Sequence, residues 1–223
     1  VTLPLRDPFD LGGEFFRWEF ATALAGVVLG IDPFDEPNVQ EAKDATARVL
    51  EEYERLGRLP EPELVARANG VGVLGAAAAS VEAALREFLE QVRPGDYLAL
   101  QAYLPYQPAV QAALGALRVH LRDRLRVATT LGFGPRFLHS TGQLHKGGPD
   151  TGLFLQLVSE DPEDVAIPGR PYSFGVLKRA QALGDLRALE ARGRRVRRVV
   201  LQGDLAASLR HLAMLLERVA ATV

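Results

Sequence analysis

Residues 97–104 read YLALQAYL and residues 153–158 read LFLQLV. Both are short, nearly continuous apolar runs, the pattern of strands buried on both faces. Working outward, VGVLG at 71–75, RVATTLGFG at 126–134 and VRRVVLQ at 196–202 read as further strands. Helical segments separate them. Ser80 can cap a helix running to about Gln91, and RPGD closes it with a turn. Residues 107–122, Ser173–Ala191 (stopped by Gly193) and 204–220 supply three more helices. Strands alternating with helices predict an α/β domain built on a mostly parallel sheet covered by helices on both faces.

The N-terminal part has a different texture. Residues 13–30, GEFFRWEFATALAGVVLG, have helical apolar spacing, with Phe16, Phe20, Leu24, Val27 and Val28 on one broad face and Gly30 as a stop. That face needs a partner if the later residues do not cover it. An acidic, proline-bounded loop, IDPFDEP, follows, and Pro37 can open a second helix reaching Leu56 and ending at Gly57. Residues 57–70, GRLPEPELVARANG, hold two prolines and two glycines and read as a linker. The expected organisation is a helical segment over residues 1–60 and an α/β domain over residues 61–223.

Composition narrows the function classes. The chain has 223 residues, 48 % hydrophobic and 24 % charged, which excludes wholesale disorder. A net charge of −2 provides no global field for nucleic acid or an anionic membrane. The absence of cysteine excludes disulfides and thiolate metal sites. The apolar run Phe20–Ile31 is too short to span a bilayer, and the start VTLPLRDPFD lacks the basic flank and apolar stretch of a signal peptide. A cytoplasmic protein without nucleic-acid or membrane partners is the expectation. Arg194, Arg195, Arg197 and Arg198 form a small basic cluster that reads as the solvent-facing opening of a strand, with no aromatic residues interleaved for base stacking.

Of 26 basic residues only Lys43, Lys146 and Lys178 are lysine. A position that keeps lysine can need a compact ammonium in place of a planar guanidinium. Two of the three lie in segments that could carry chemistry. In GIDPFDEPNVQEAK (30–43), Gln40 and Lys43 are three apart on the opening turns of a helix and share a face. The same residues also fit a solvated helix start. In GFGPRFLHSTGQLHKGGPDTG (132–152), six glycines and two prolines frame Arg136, His139, Ser140, Thr141, Gln143, His145 and Lys146. Read as a glycine-framed loop, this segment suits binding of a phosphate or polyol, or acid–base work near neutral pH. It also fits a structural turn whose polar side chains satisfy the loop backbone. Two histidines six apart bring no third ligand, so no metal is expected.

The stretch EFATALAGVVLGIDPFDEPNVQEAK (19–43) resembles the C-terminal part of phosphoglucose isomerases, where an apolar helix leads into an N-P-F-D-Q-P-G-V-E-x-x-K-like loop and helix. Asp32 stands where asparagine is usual and Glu36 where glutamine is usual. LGFGPRFLHSTGQLHKGGPDTGLFLQL (131–157), with PYSFGVLKRAQALGDLRAL (171–189), is similar to the far C-terminal region of bifunctional transaldolase/phosphoglucose isomerases. The resemblance implies a sugar-isomerase-like fold and aldose–ketose isomerisation of glucose 6-phosphate and fructose 6-phosphate. It places Lys43 as the catalytic lysine of ring opening and Glu36 beside the substrate. The reaction needs no cofactor. In that family the proton-shuttling glutamate, a histidine and the phosphate-binding loop precede the lysine motif. Only residues 1–42 precede Lys43 here, so the expectation is a C-terminal portion of such an enzyme, inactive by itself. The alternative is a non-catalytic module that binds sugar phosphate or mediates oligomerisation. The expected partners are a sugar phosphate and either a second copy or upstream isomerase and transaldolase domains.

Overall fold

The computed structural model describes residues 3–35, 37–74, 78–136, 140–161 and 163–223. They divide into two compact units, Val1–Pro37 and Asn38–Val223. The first unit is helix α1 (Asp10–Leu29) and the loop after it. Its end has a local cause. Gly30 takes a left-handed φ of 68°, and the Gly30 and Ile31 N–H groups return to the carbonyls of Val27 and Gly26. This is a Schellman closure, which uses glycine to satisfy the last carbonyls of a helix. Pro33 then lies against Gly26, where an added Cβ would come within 2.6 Å of the proline ring. Asp32 accepts the Phe34 N–H at 2.9 Å, an Asx turn that an asparagine could also make. The departure from asparagine at position 32 therefore leaves the loop's local hydrogen bond intact. Phe9, Phe16, Trp18, Phe20, Val27 and Val28 are all exposed, so α1 does not bury its apolar surface within its own unit.

The second unit begins inside α2 (Pro37–Leu56), a helix with the boundaries expected from Pro37 and Gly57. Six described strands then make one sheet in the order β1-β2-β6-β5-β3-β4, with β1 (Ala66–Ala68), β2 (Val71–Leu74), β3 (Tyr97–Tyr103), β4 (Ala128–Phe133), β5 (Gly152–Ser159) and β6 (Arg195–Leu201). β4, β3, β5 and β6 run parallel, whereas β2 pairs antiparallel with β6 and β1 antiparallel with β2. The protein is thus an α/β fold with helices flanking a mostly parallel, mixed sheet. β1 and the hairpin turn lie in what the sequence reading takes for linker, and β1 pairs with β2, the strand expected at 71–75. That turn is Asn69-Gly70, both at positive φ, the residue pair that two-residue hairpin turns favour.

The helices α3 (Val81–Leu89), α4 (Pro108–Leu125) and α7 (Leu205–Ala220) pack against the strands from one side. Ser80 and Asp204 cap α3 and α7 by accepting the N–H of Ala83 and Ala207. Beneath these helices lies the main core, in which Leu98, Leu100, Leu153, Leu155, Leu157, Val199 and Leu201 meet Leu85, Leu114, Leu121, Leu212 and Leu216. Alternation along the strands turns Tyr97, Gln101, Tyr103, Gln156 and Arg198 to the opposite face. Helices α5 (Ser140–Gly147) and α6 (Phe174–Ala191) contact each other, and α6 also contacts β3, β5 and β6. Helix α2 packs on α6 through Val49 against Ala180, Leu183 and Leu186. An added Cβ at Gly184 would come within 2.9 Å of the Thr46 backbone nitrogen, so the two helices approach as closely as a glycine allows. Among the described residues, no helix is long and apolar enough to cross a membrane.

Candidate functional site

Two segments singled out by their residues meet in the second unit. At the start of α2, the Asn38 N–H donates to Gln143 Oε1 at 3.0 Å, and Gln143 Nε2 donates to Asn38 Oδ1 at 2.8 Å. Gly147 completes the contact, since a Cβ there would come within 2.5 Å of Asn38 Oδ1. Asn38 also donates to Glu41, whose carboxylate receives the Arg192 guanidinium at 2.7 Å and is held below the usual carboxylate range mainly by that bond. Gln143 is therefore a clamp on α2. Lys43, one turn further, is exposed, and no acid among the described residues pairs with it. Gln40 is tied to Asp44 at 2.8 Å. Glu36 and His139 lie outside the described residues, as does the side chain of Ser140.

The segment expected as a glycine-framed loop is largely helix α5, and its two best-charged residues point inward. Lys146 is 1 % exposed, with Nζ 2.6 Å from the equally buried Asp185 Oδ1 of α6. Burial holds the Asp185 carboxyl above its ordinary value, against the pull of Lys146. His145 is buried against Tyr97 and Phe154, and its Nδ1 lies 3.1 Å from Gln101 Nε2. Burial, reinforced by the Lys146 charge, lowers the His145 pKa to about 4. Neither His145 nor Lys146 is open to an anion arriving from solvent, in contrast to the expectation. The physical reason is that helix α5 lies on the sheet and turns these side chains into the protein.

A buried polar row runs across the centre of the same sheet face. Gln101, Gln156 and Arg198 are cross-strand partners on β3, β5 and β6. Gln156 donates to the Ala182 carbonyl at 2.9 Å and accepts from Arg198 at 3.3 Å, and Arg198 reaches Glu61 at 3.2 Å. Tyr103 lies fully buried nearby, and burial followed by the Asp185 charge raises its phenol pKa. The arginine cluster is likewise not a solvent-facing patch. Arg198 and Arg197 are 2 % and 6 % exposed, and Arg195 grips Asp96 with contacts of 2.6 and 3.0 Å. Arg194 donates to the carbonyl oxygens of Lys146 and Gly148 at the C-terminal end of α5. These arginines are part of the interior structure, because β6 is a central strand covered on both faces. The glutamines within YLALQAYL and LFLQLV were the visible signal of the row. Asp185 and Glu61 left none, since their partners come from distant elements.

An open concavity lies at the carboxyl end of β3 and β4. It has a volume of about 480 Å³ and is lined by Tyr106, Gln111, Leu131, Gly132, Phe133, Arg136 and Thr141. Among the described residues expected to bind substrate, Thr141 is the one placed here. Tyr106 stands edge-to-face with Phe133 at 4.9 Å, and the Arg136 guanidinium lies 5.5 Å from the Tyr106 ring centre. In open α/β sheets, ligands bind outside the carboxyl ends of the strands. Among the described residues, no group of three His, Asp or Glu side chains is placed to hold a metal ion.

No family model matches the chain. Part of it is similar to glucose-6-phosphate isomerases: 39 % identical over 59 residues to the enzyme of Streptococcus equi subsp. zooepidemicus, covering 26 % of this chain and 13 % of that one. Identity is 44 % over 43 residues with the enzyme of Exiguobacterium sibiricum, covering 19 % of this chain and 10 % of the other. The matches span about a tenth of the length of these curated relatives. The fold is similar to a crystal structure of a hypothetical protein, TT0462, from Thermus thermophilus. The TM-score is 0.54 at 16 % identity, over 81 % of this chain and 43 % of that one. The chain therefore carries distant, partial homology to glucose-6-phosphate isomerase sequences, on an α/β fold similar to that solved structure.

Proposed function

We propose that the chain is the C-terminal portion of a glucose-6-phosphate isomerase of the transaldolase/isomerase type, and that Lys43 is its contribution to the chemistry. One observation carries this reading. Of the three lysines, Lys146 and Lys178 are committed to Asp185 and Asp161, whereas Lys43 faces solvent with no acid partner among the described residues. It stands at the end of the stretch that resembles the isomerases, and the partial sequence identity to glucose-6-phosphate isomerases supports the same family. Isomerisation of glucose 6-phosphate to fructose 6-phosphate opens the sugar ring and moves a proton between C1 and C2 through an enediolate. An ammonium at position 43 can deliver a proton to the ring oxygen, or steady the negative charge that develops on the substrate. The base that moves the C1–C2 proton comes from the remainder of the parent protein.

The test is a coupled isomerase assay on the full parent protein. Lys43→Ala is expected to lower kcat by about 10²-fold or more, with Lys43→Arg recovering only part of the loss. Turnover equal to the parent's in Lys43→Ala removes Lys43 from the mechanism. For the 223 residues alone, the reading is a sugar-phosphate-binding or assembly module without activity of its own. Isomerase turnover by the isolated chain overturns that part.

A further inference from the structure

We infer that the cleft at the carboxyl end of β3 and β4 binds a small phosphate monoester, with the phosphate on Arg136 and Thr141 and the organic part against Tyr106 and Gln111. This goes beyond the isomerase reading, because it uses no residue of the Lys43 stretch.

Three observations converge on one concavity. First, its lining includes a cation and no acid: Arg136 is exposed, and no carboxylate among the described residues pairs with it. The Lys146 ammonium, by contrast, is consumed by Asp185. A guanidinium presents a planar fork of donors that matches phosphate oxygens, and it can keep a stacking contact with Tyr106 as it does so. Second, the Thr141 hydroxyl and the Gln111 amide supply neutral donors and acceptors in the same lining. Third, Tyr106 is 62 % exposed although it is a large ring, and Phe133 braces it edge-on. An exposed, braced aromatic is a platform for the carbon skeleton or flat ring of a ligand. A volume of about 480 Å³ lies within the range of small-molecule sites.

The experiment is calorimetric titration of the full chain with three probes: inorganic phosphate, fructose 6-phosphate and adenosine 5′-monophosphate. At least one ester is expected to bind measurably tighter than inorganic phosphate. Arg136→Ala is expected to weaken that ester by about 10- to 100-fold, as for loss of a charge-assisted hydrogen bond. Thr141→Val should give a smaller loss. A preference for the nucleotide assigns the organic part to stacking on Tyr106. A preference for the sugar phosphate assigns it to hydroxyl contacts with Gln111 and Thr141. The proposal is overturned if neither ester binds at millimolar concentration, if inorganic phosphate binds as tightly as the esters, or if a folded Arg136→Ala binds as the parent does. Because Lys43→Ala tests the isomerase reading and Arg136→Ala tests this one, either can fail without the other.

Discussion

The two faces of the central sheet solve the problem of burial in opposite ways. Under α3, α4 and α7, the strands present leucine and valine to a continuous aliphatic core. Under α5 and α6, the same strands present Gln101, Gln156 and Arg198, and the helices answer with His145, Lys146 and Asp185. The first face draws on apolar area, which is non-directional and tolerates some repacking. The second depends on directional pairing of its donors and acceptors, because an unpaired polar group in a low-dielectric interior is costly. The polar face also carries the clamp on α2, and with it the helix that bears Lys43. Specificity of arrangement, more than net stability, is what such a face offers.

The sharpest way to break this comparison is at the ion pair. Asp185→Ala strands the Lys146 ammonium at 1 % exposure, and the expected cost is about 3–5 kcal/mol in denaturant unfolding. The double variant Lys146→Met with Asp185→Leu should recover most of that loss, since paired buried charges exchange nearly evenly with well-packed apolar residues. A double variant as unstable as the single one would show that the face is not organised around this pair. On the aliphatic face, Leu155→Ala should cost about 2–5 kcal/mol from lost transfer and a residual cavity. Its cost should be the same at pH 7 and pH 5, because no titratable group belongs to the core around it.

The smallest effect is the pH response of the polar face. His145 has a folded pKa of about 4 against an ordinary 6.5, so the unfolded chain takes up a proton that the folded chain refuses. Stability is therefore complete above pH 6.5 and falls as pH drops toward 4, by up to about 3 kcal/mol. Melting curves across that window should show the decline, and His145→Gln should flatten it. A decline of unchanged slope in that variant would assign the acid sensitivity elsewhere.

Much of the architecture was legible along the chain. Helix α2 begins at Pro37 and ends at Leu56 as its proline and following glycine imply, and α6 follows Ser173 as its N-cap. Two elements escaped. β1 hid in a segment rich in proline and glycine, although Asn69-Gly70 is itself a hairpin signal. α5 hid among glycines, because Gly147 and Gly148 suggest a loop. Gly147 is instead required by the close approach of Asn38. The candidate site was legible in its residue types more than in its geometry. Thr141 reached the open cleft, whereas His145 and Lys146, from the same segment, were drawn inside.

Local physics accounts for what the sequence determined by itself. Apolar period, caps and turn residues act within a few positions, so they set where each helix and strand starts, stops and buries a face, and they set the alternation that makes the fold α/β. Which charges are usable depends on partners far away in the chain. Lys146 is spent because Asp185 arrives 39 positions later on a helix packed above it. The arginines of β6 are interior because that strand lies between β2 and β5. Arg136 stays open because no acid among the described residues reaches it. Those outcomes are long-range pairings, decided only when the sheet closes and the helices cover it.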